Sequence, residues 1–456
     1  MKKIVTYALA SVLGLGLTNC NKLVDGYDVS PNSPQDAPSD QQLTAAELGL
    51  GFVMSGEAAR TANMWAGVFT GADRQYSSLN NYLTTSPDYD NMWFNTYYQT
   101  VTQARIVQQK AVLVNNKQLQ GIAQVVEAQS LGTATDLWGD IPYSGILVPN
   151  SPPTFDAQTT VYASLQTALS SAISNLGQNG VNPGSRDVFY TGSTTKWIAA
   201  AHSLKARYFL HVKNYAAAIT EARAGITSGA DDMIMPYDGT IGSAANPYYD
   251  FLDNSRPGYM SAEGAYAPQL LQSRTNSKTN ETKRFAYFYT DQGYFALDPN
   301  FVDGAFRPAA GFPLVTYVET QAILAESLVR TGDNTGALTA LNNIRTANAT
   351  TYGGMYTAYE LTDFAAGGLV NPTSGGLSQT NALLLEVLRE KYLSLIGQIE
   401  EFSDVRRTNN LIGVPKNVST APSLPQRFLY PQSEINTNPN VPNPIPDVYT
   451  KTPVNR

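Results

Sequence analysis

The sequence has one cysteine, two histidines and little charge of either sign in its 456 residues, and each shortage excludes something. A lone cysteine rules out a disulfide framework. His202 and His211 stand nine residues apart on a predicted helix over 195–211, roughly 180° around a 3.6-residue helix, so they cannot share a metal ion. No metal and no cofactor is expected. The spacings G-x-S-x-G, H-E-x-x-H, G-x-x-x-x-G-K-[ST] and the calcium-loop pattern are absent, which leaves nucleophilic triads and phosphate loops unsupported. Charged residues make up 15% of the chain, against about 25% in an average soluble domain. The net charge is −7 with no basic stripe to neutralise phosphates, so nucleic acid is excluded as a partner. The adjacent carboxylates Asp231 and Asp232, and Glu400 and Glu401, remain as candidates for a glycosidase pair, which needs a separation of about 5 to 10 Å. Adjacent residues on a helix point about 100° apart and loop neighbours are solvated. No catalytic residue is therefore assigned, and the chain reads as a non-enzyme.

What is present begins at the N-terminus. Lys2 and Lys3 precede an apolar stretch from Ile4 to Leu17, the layout of a secretory signal. That stretch is short of the roughly 20 residues a spanning helix needs. Leu17-Thr18-Asn19-Cys20 resembles a lipobox, with Asn19 larger than the usual Gly or Ala. The expectation is a removable signal over 1–19 and lipidation at Cys20, which takes more than one acyl chain for stable anchoring. Residues 20–40, rich in Asp, Ser, Asn and Pro, form a tether that then docks on the body.

The remainder, 41–456, reads as one domain. Leu43, Ala46, Leu50 and Val53 share one face of a helix over about 41–60. Three segments then repeat one design of paired helices: 92–115 with 119–137, 195–211 with 215–227, and 319–330 with a helix carrying Ala337, Leu341 and Ile344. Alanines at the crossings resemble those of tetratricopeptide repeats, although the W-x₂-L-G-x₂-Y consensus is missing. Such faces form a core only by stacking on neighbours. The fold class expected is all-α, a tetratricopeptide-like helical-repeat scaffold with long irregular loop insertions. The stretches 67–90, 230–314 and 349–378 read as non-helical, and a proline-rich tail from Pro431 as extended.

Aromatic composition points to a ligand. The chain has 27 Tyr against 16 Phe and 4 Trp. Tyrosine offers a flat apolar face and a hydroxyl that stays wet, which suits the C–H faces and hydroxyl rim of a sugar, and also suits peptides. Loop 71–89 carries Arg74, Tyr76, Asn80, Asn81 and Tyr82. Loop 246–266 adds Tyr248, Tyr249, Arg256, Tyr259 and Tyr266, and loop 290–295 adds Tyr294 and Phe295. Arg74, Tyr76, Asn81, Tyr82, Tyr259 and Tyr294 are the candidate ligand-binding residues.

Motifs in fixed order add a family. DLWGDIPYS (136–144), RDVFYTGSTTKWIAAAHSLKARYFLH (186–211), FPLVTYVETQAILAES (312–327), LNNIRTAN (341–348), EEFSDVRRT (400–408) and RFLYPQSE (427–434) together resemble the SusD/RagB family of outer-membrane nutrient-binding lipoproteins. The resemblance implies four tetratricopeptide-like units under a loop-rich face. It further implies a lid on a SusC-like TonB-dependent transporter at the outer membrane, facing the cell exterior, that captures oligosaccharides or peptides without chemistry. Two departures are visible: the 197–207 segment looks like one branch of the family and LNNIR like another, and the starch-binding aromatic arc has no counterpart. Alternatives from the residues alone are a peptide-binding module and a helical-repeat scaffold for another protein. The motifs also have structural readings. Gly139 allows a helix to end in the left-handed helical conformation and Pro142 forbids its continuation, and Glu400, Glu401, Asp404, Arg406 and Arg407 are spaced for ion pairs within or beside a helix.

Overall fold

The computed structural model describes residues 37–148, 151–291, 297–373 and 375–456. The signal, Cys20, most of the tether, Tyr294 and Phe295 lie outside the described residues. The fold is all-α, a helical-repeat scaffold with loop insertions. Its main helices are α1 (Ser39–Ser55), α2 (Glu57–Trp65), α3 (Gln103–Leu113), α4 (Lys117–Trp138), α5 (Gln158–Leu176), α6 (Thr194–His211), α7 (Tyr215–Ala224), α8 (Tyr317–Arg330), α9 (Asn334–Tyr352), α10 (Gln379–Ser394) and α11 (Glu400–Arg407). From α3 to α9 each helix packs on the next in the chain, and α10 lies on α8. Among the described residues, no helix is long and apolar enough to cross a membrane.

Local chemistry sets the helix starts. Asn116, Asn214, Thr316, Asp333 and Ser378 each accept a hydrogen bond from a backbone N–H of the first turn of the helix that follows, satisfying donors that the helix itself cannot. Small residues then set the spacing. A Cβ built on Gly132 of α4 would lie 2.2 Å from the ring of Tyr208, so α4 and α6 meet at a distance only glycine permits. Tyr208 is fully buried there, its hydroxyl donating to the Ala128 carbonyl at 3.1 Å.

Several sequence expectations need correction. The stretch 67–90 is not all loop: Arg74–Asn80 is a short helix and Ser86–Tyr89 a 3₁₀ turn. The first hairpin begins at Asp90–Phe94 and runs through a π-helical segment, Asn95–Thr102, before α3. α5 and α10 escaped the periodicity argument. Within 230–314 there are short helices such as Tyr266–Ser273 and Thr282–Phe288, and the tail carries a turn of helix at Gln432–Thr437. Gly139 does end α4 with a positive φ of 83°, but its ψ of −118° is outside the left-handed helical well. Such a conformation is open to glycine and costly for a residue with a Cβ.

The EEFSDVRRT motif is α11, and all eight helical residues are buried. Its charges reach beyond their own helix. Glu400 pairs with His211 at 2.9 Å and lies 3.6 Å from Arg207, both on α6. Asp404 meets Lys391 of α10 at 2.9 Å, Arg406 meets Asp136 of α4 at 2.5 Å, and Arg407 grips Glu326 of α8 through both amino groups, one at 2.7 Å. Arg207 in turn holds Glu319 of α8 through two bonds of 2.6 Å. One short helix thereby ties four scaffold helices together. The distant motifs DLWGDIPYS and RFLYPQSE also meet: the Trp138 indole N–H donates to the Leu429 carbonyl at 2.8 Å, the Arg427 guanidinium donates to the Trp138 carbonyl, and the Trp138 and Phe428 rings stand edge to face at 5.6 Å. These motifs build the frame and leave the binding face to other residues.

Candidate binding face

A two-residue antiparallel pairing assembles the face. Thr70 and Gly71 pair with Ser261 and Met260, which brings the segment after 71 against the segment before 260. Gly71 is required at the bend, since a Cβ there would sit 2.0 Å from the Tyr76 carbonyl oxygen. Asp73 then caps the Arg74–Asn80 helix, accepting from the Arg74 N–H at 2.9 Å.

Three of the six candidate ligand residues converge here. Tyr259 is half-buried, and its ring centroid lies 5.6 Å from the Arg74 guanidinium and 5.8 Å from that of Arg256. Arg74 and Arg256 are both exposed, so one aromatic ring is flanked by two cations that keep contact with water. Tyr76 sits 6.3 Å from Tyr259, but it is buried to 2% exposure against Phe251 at 4.6 Å. Its hydroxyl accepts from the Arg60 Nε at 2.9 Å, and burial raises its pKa. Tyr76 therefore supports the face from below, and its ring is enclosed by protein.

Of the other three, Tyr82 is turned away from the site. Tyr82 is buried edge to face with Trp65 at 6.4 Å, and its hydroxyl accepts from the Asn417 N–H at 2.7 Å. Burial pushes that hydroxyl up to about 12. Asn81 is exposed at the end of the Arg74–Asn80 helix. Tyr294 is outside the described residues. Of the remaining loop tyrosines, Tyr248 is fully buried and donates to the Gly397 carbonyl at 2.8 Å.

Beside Tyr259 runs an open groove of about 570 Å³, lined by Phe52, Arg60, Phe94, Asp250, Phe251 and Ser255 among others. The Arg60 guanidinium lies 4.2 Å over the Phe251 ring, which links the groove floor to Tyr76 and Tyr259. Phe52 and Phe94 are 58% and 47% exposed, and Phe94 stacks on the 57% exposed Tyr98 at 4.9 Å and 20°. Large rings left in water on one side of a groove mark an interaction surface. The sequence reading missed these three because it sought aromatics outside helical segments. Phe94 and Tyr98 stand four apart, a helical spacing, in the run FNTYYQT. Burial, with Asp88 nearby and despite Arg60, raises the Glu57 carboxyl at the groove wall.

Several groups suited to chemistry lie away from this face. His211 is buried between Glu400 and the Tyr162 hydroxyl, and His202 pairs with Glu221 at 2.6 Å. Glu400 is locked in the ion network, and Asp231 pairs with Lys196 at 3.2 Å. Among the described residues no group of His, Cys, Asp and Glu could hold a metal.

Comparison with known proteins agrees with this architecture. The sequence has no significant match among curated proteins. A chitin-binding SusD homolog from Flavobacterium johnsoniae superposes with a TM-score of 0.71 at 18% identity, covering 91% of this chain and 98% of that one. A SusD/RagB family protein from Bacteroides thetaiotaomicron gives 0.68 at 21%, covering 89% and 95%. A SusD homolog from Parabacteroides distasonis gives 0.70 at 16%, covering 91% and 98%. At these identities the likeness shows the fold. The family model SusD-like_2, described as starch-binding associating with outer membrane, matches residues 31–431, and the chain belongs to that SusD-like family.

Proposed function

We propose that this protein is a lipid-anchored binding protein of the outer membrane, facing the cell exterior, that captures oligosaccharides and delivers them to a SusC-like TonB-dependent transporter. The observation that carries this reading is a set of accessible rings at and beside one groove: Phe52 and Phe94 in its lining, Tyr98 stacked on Phe94, and half-buried Tyr259 between two guanidinium groups with its ring 6.3 Å from that of the groove residue Phe251. Accessible rings supply stacking faces for pyranose C–H groups, and the flanking Arg and Asp side chains supply donors and acceptors for hydroxyls. The family description and the chitin-binding relative support a glycan as ligand. The two exposed cations beside Tyr259 also favour a second reading, a peptide carrying carboxylates.

Affinity electrophoresis against a polysaccharide panel tests the ligand. Retardation by at least one glycan is expected, with Tyr259→Ala and Phe94→Ala each weakening it by up to about tenfold, the scale of one lost aromatic contact. A panel with no retardation, together with binding of acidic peptides, would replace the glycan with the peptide. The anchor has its own test. Cys20→Ala protein should fold and retain glycan affinity but leave the membrane fraction, whereas lost folding would contradict the separation of tether and body.

A further inference from the structure

A second cavity lies away from the groove. It is a cleft of about 210 Å³ between the loop insertions and the helices α8 to α10. Fully buried Tyr248 stands between the two: its ring packs on Phe306 of the cleft at 4.9 Å, and Phe251 of the groove is three residues along the chain. Buried Phe288, Phe306 and Phe312 and half-buried Tyr352 supply aromatic walls. Asp232 is the only charged residue lining the cleft among the described residues.

Three polar groups in these walls lack full partners. Gln398 is 3% exposed, and its side-chain amide makes no hydrogen bond within the described residues. Asn348 is 2% exposed; its amide nitrogen donates to Glu390 at 2.7 Å while its amide oxygen accepts nothing. Asp232 accepts from the Tyr317 N–H at 2.6 Å through one oxygen only. Polar atoms that reach a cavity without a protein partner are free to bind a ligand or water there. A carboxylate, aromatic walls and no cation among the described lining residues fit a compact positive charge, which gains from the carboxylate and from the rings of Phe288, Phe306 and Phe312, while the Tyr352 ring already meets Arg284 at 5.4 Å.

We propose that this cleft is a binding site for a small organic ammonium ion about one ring in size. Burial, with Glu319 and Asp231 nearby and despite the bond from Tyr317, raises the Asp232 carboxyl to about 7. An ammonium ligand therefore binds best above that value, where Asp232 is ionised. The charged and titratable groups around Asp232 are Asp231, held by Lys196, Glu319, held by Arg207, and the hydroxyls of Tyr190 and Tyr317, both raised by burial.

Isothermal titration of the full chain with benzylamine and with its neutral isostere benzyl alcohol tests the site. At pH 8 saturable benzylamine binding at least tenfold tighter than that of benzyl alcohol is expected. Asp232→Asn should bring the two within about twofold of each other. Thr351 lines the cleft and is exposed, so Thr351→Trp should block the mouth and abolish binding without disturbing the fold. Should Asp232→Asn fail to fold, the wild-type pH series decides: benzylamine, protonated throughout, should weaken from pH 8 to pH 6 while benzyl alcohol does not change. Equal affinities for the two probes, no saturation, or benzylamine binding that survives Thr351→Trp would each overturn the proposal.

Discussion

Arg207→Ala is expected to destabilise the protein by about 3–5 kcal/mol, the scale for breaking one side of a buried ion pair. The magnitude follows from what stays behind. Arg207 is fully buried and bonds both oxygens of Glu319, the Leu314 carbonyl at 2.8 Å and, more distantly, Glu400. Its removal strands the Glu319 carboxylate, 1% exposed, and weakens the link between α6, α8 and α11. Arg207→Met keeps much of the volume, so its cost separates lost charge from lost packing. Urea unfolding followed by circular dichroism would measure both. A loss under 1 kcal/mol for Arg207→Ala would mean that the network contributes little and that the apolar helix faces hold the scaffold alone.

The second large effect is on acid stability. Burial alone would raise the Glu390 carboxyl, but the guanidinium groups of Arg284 and Arg274 outweigh it and hold it at about 2. Glu326 is held at about 2 in the same way by Arg407, Arg330 and Lys391 against its burial. A carboxyl whose folded value lies below its ordinary 4.5 contributes stability that is complete above 4.5 and is lost as pH falls toward 2. Unfolding should therefore steepen between pH 4.5 and 2. Glu390→Gln should destabilise strongly at pH 7 and progressively less toward pH 2, where the wild-type carboxyl is itself protonated. Glu47 and Glu401 run the opposite way. Burial and the nearby carboxylates Asp187 and Asp404 raise them well above 4.5, so their contribution is full below 4.5 and fades as pH rises. The urea midpoint measured from pH 2 to pH 9 for wild type and Glu390→Gln checks the sign, and a constant penalty across that range would refute it.

The frame was legible because its signals are local. Apolar spacing at three and four residues placed α4, α6, α8 and α9, and Asn214, Thr316 and Asp333 stand where caps must. Helix α5 was missed because Gln, Thr and Ser are interspersed along QTTVYASLQTALSSAISNL and blur its stripe. α10 follows a glycine-rich stretch, and its Glu386, Glu390 and Lys391 break its apolar stripe yet are buried in ion pairs. The charges of α11 read as ion pairs within or beside a helix, without their distant partners. Burial of an ionic residue depends on a partner hundreds of positions away, such as Asp136 for Arg406, and no local window contains it.

The binding face was legible only in part, for the same reason. Nothing in RQYSSLNNYL tells which tyrosine turns inward, and Tyr76 and Tyr82 both do. Tyr259 is left at the surface by the pairing of Thr70–Gly71 with Met260–Ser261, a contact across some 190 residues. Phe94 and Tyr98 carried a helical spacing that usually signifies core, but here both rings are left about half exposed among the described residues.

The placement of charge has a consequence for how this molecule meets its surroundings. Composition already makes the chain sparsely ionic, and α11 with its partners withdraws many of the ions that exist into the interior. Added salt screens exposed charges far more than buried ones. The frame should thus be nearly indifferent to ionic strength, and a neutral sugar entering a groove walled by aromatic rings should bind equally well in fresh water and in brine. The proposed capture of a neutral glycan should therefore keep its affinity as the surrounding salinity changes.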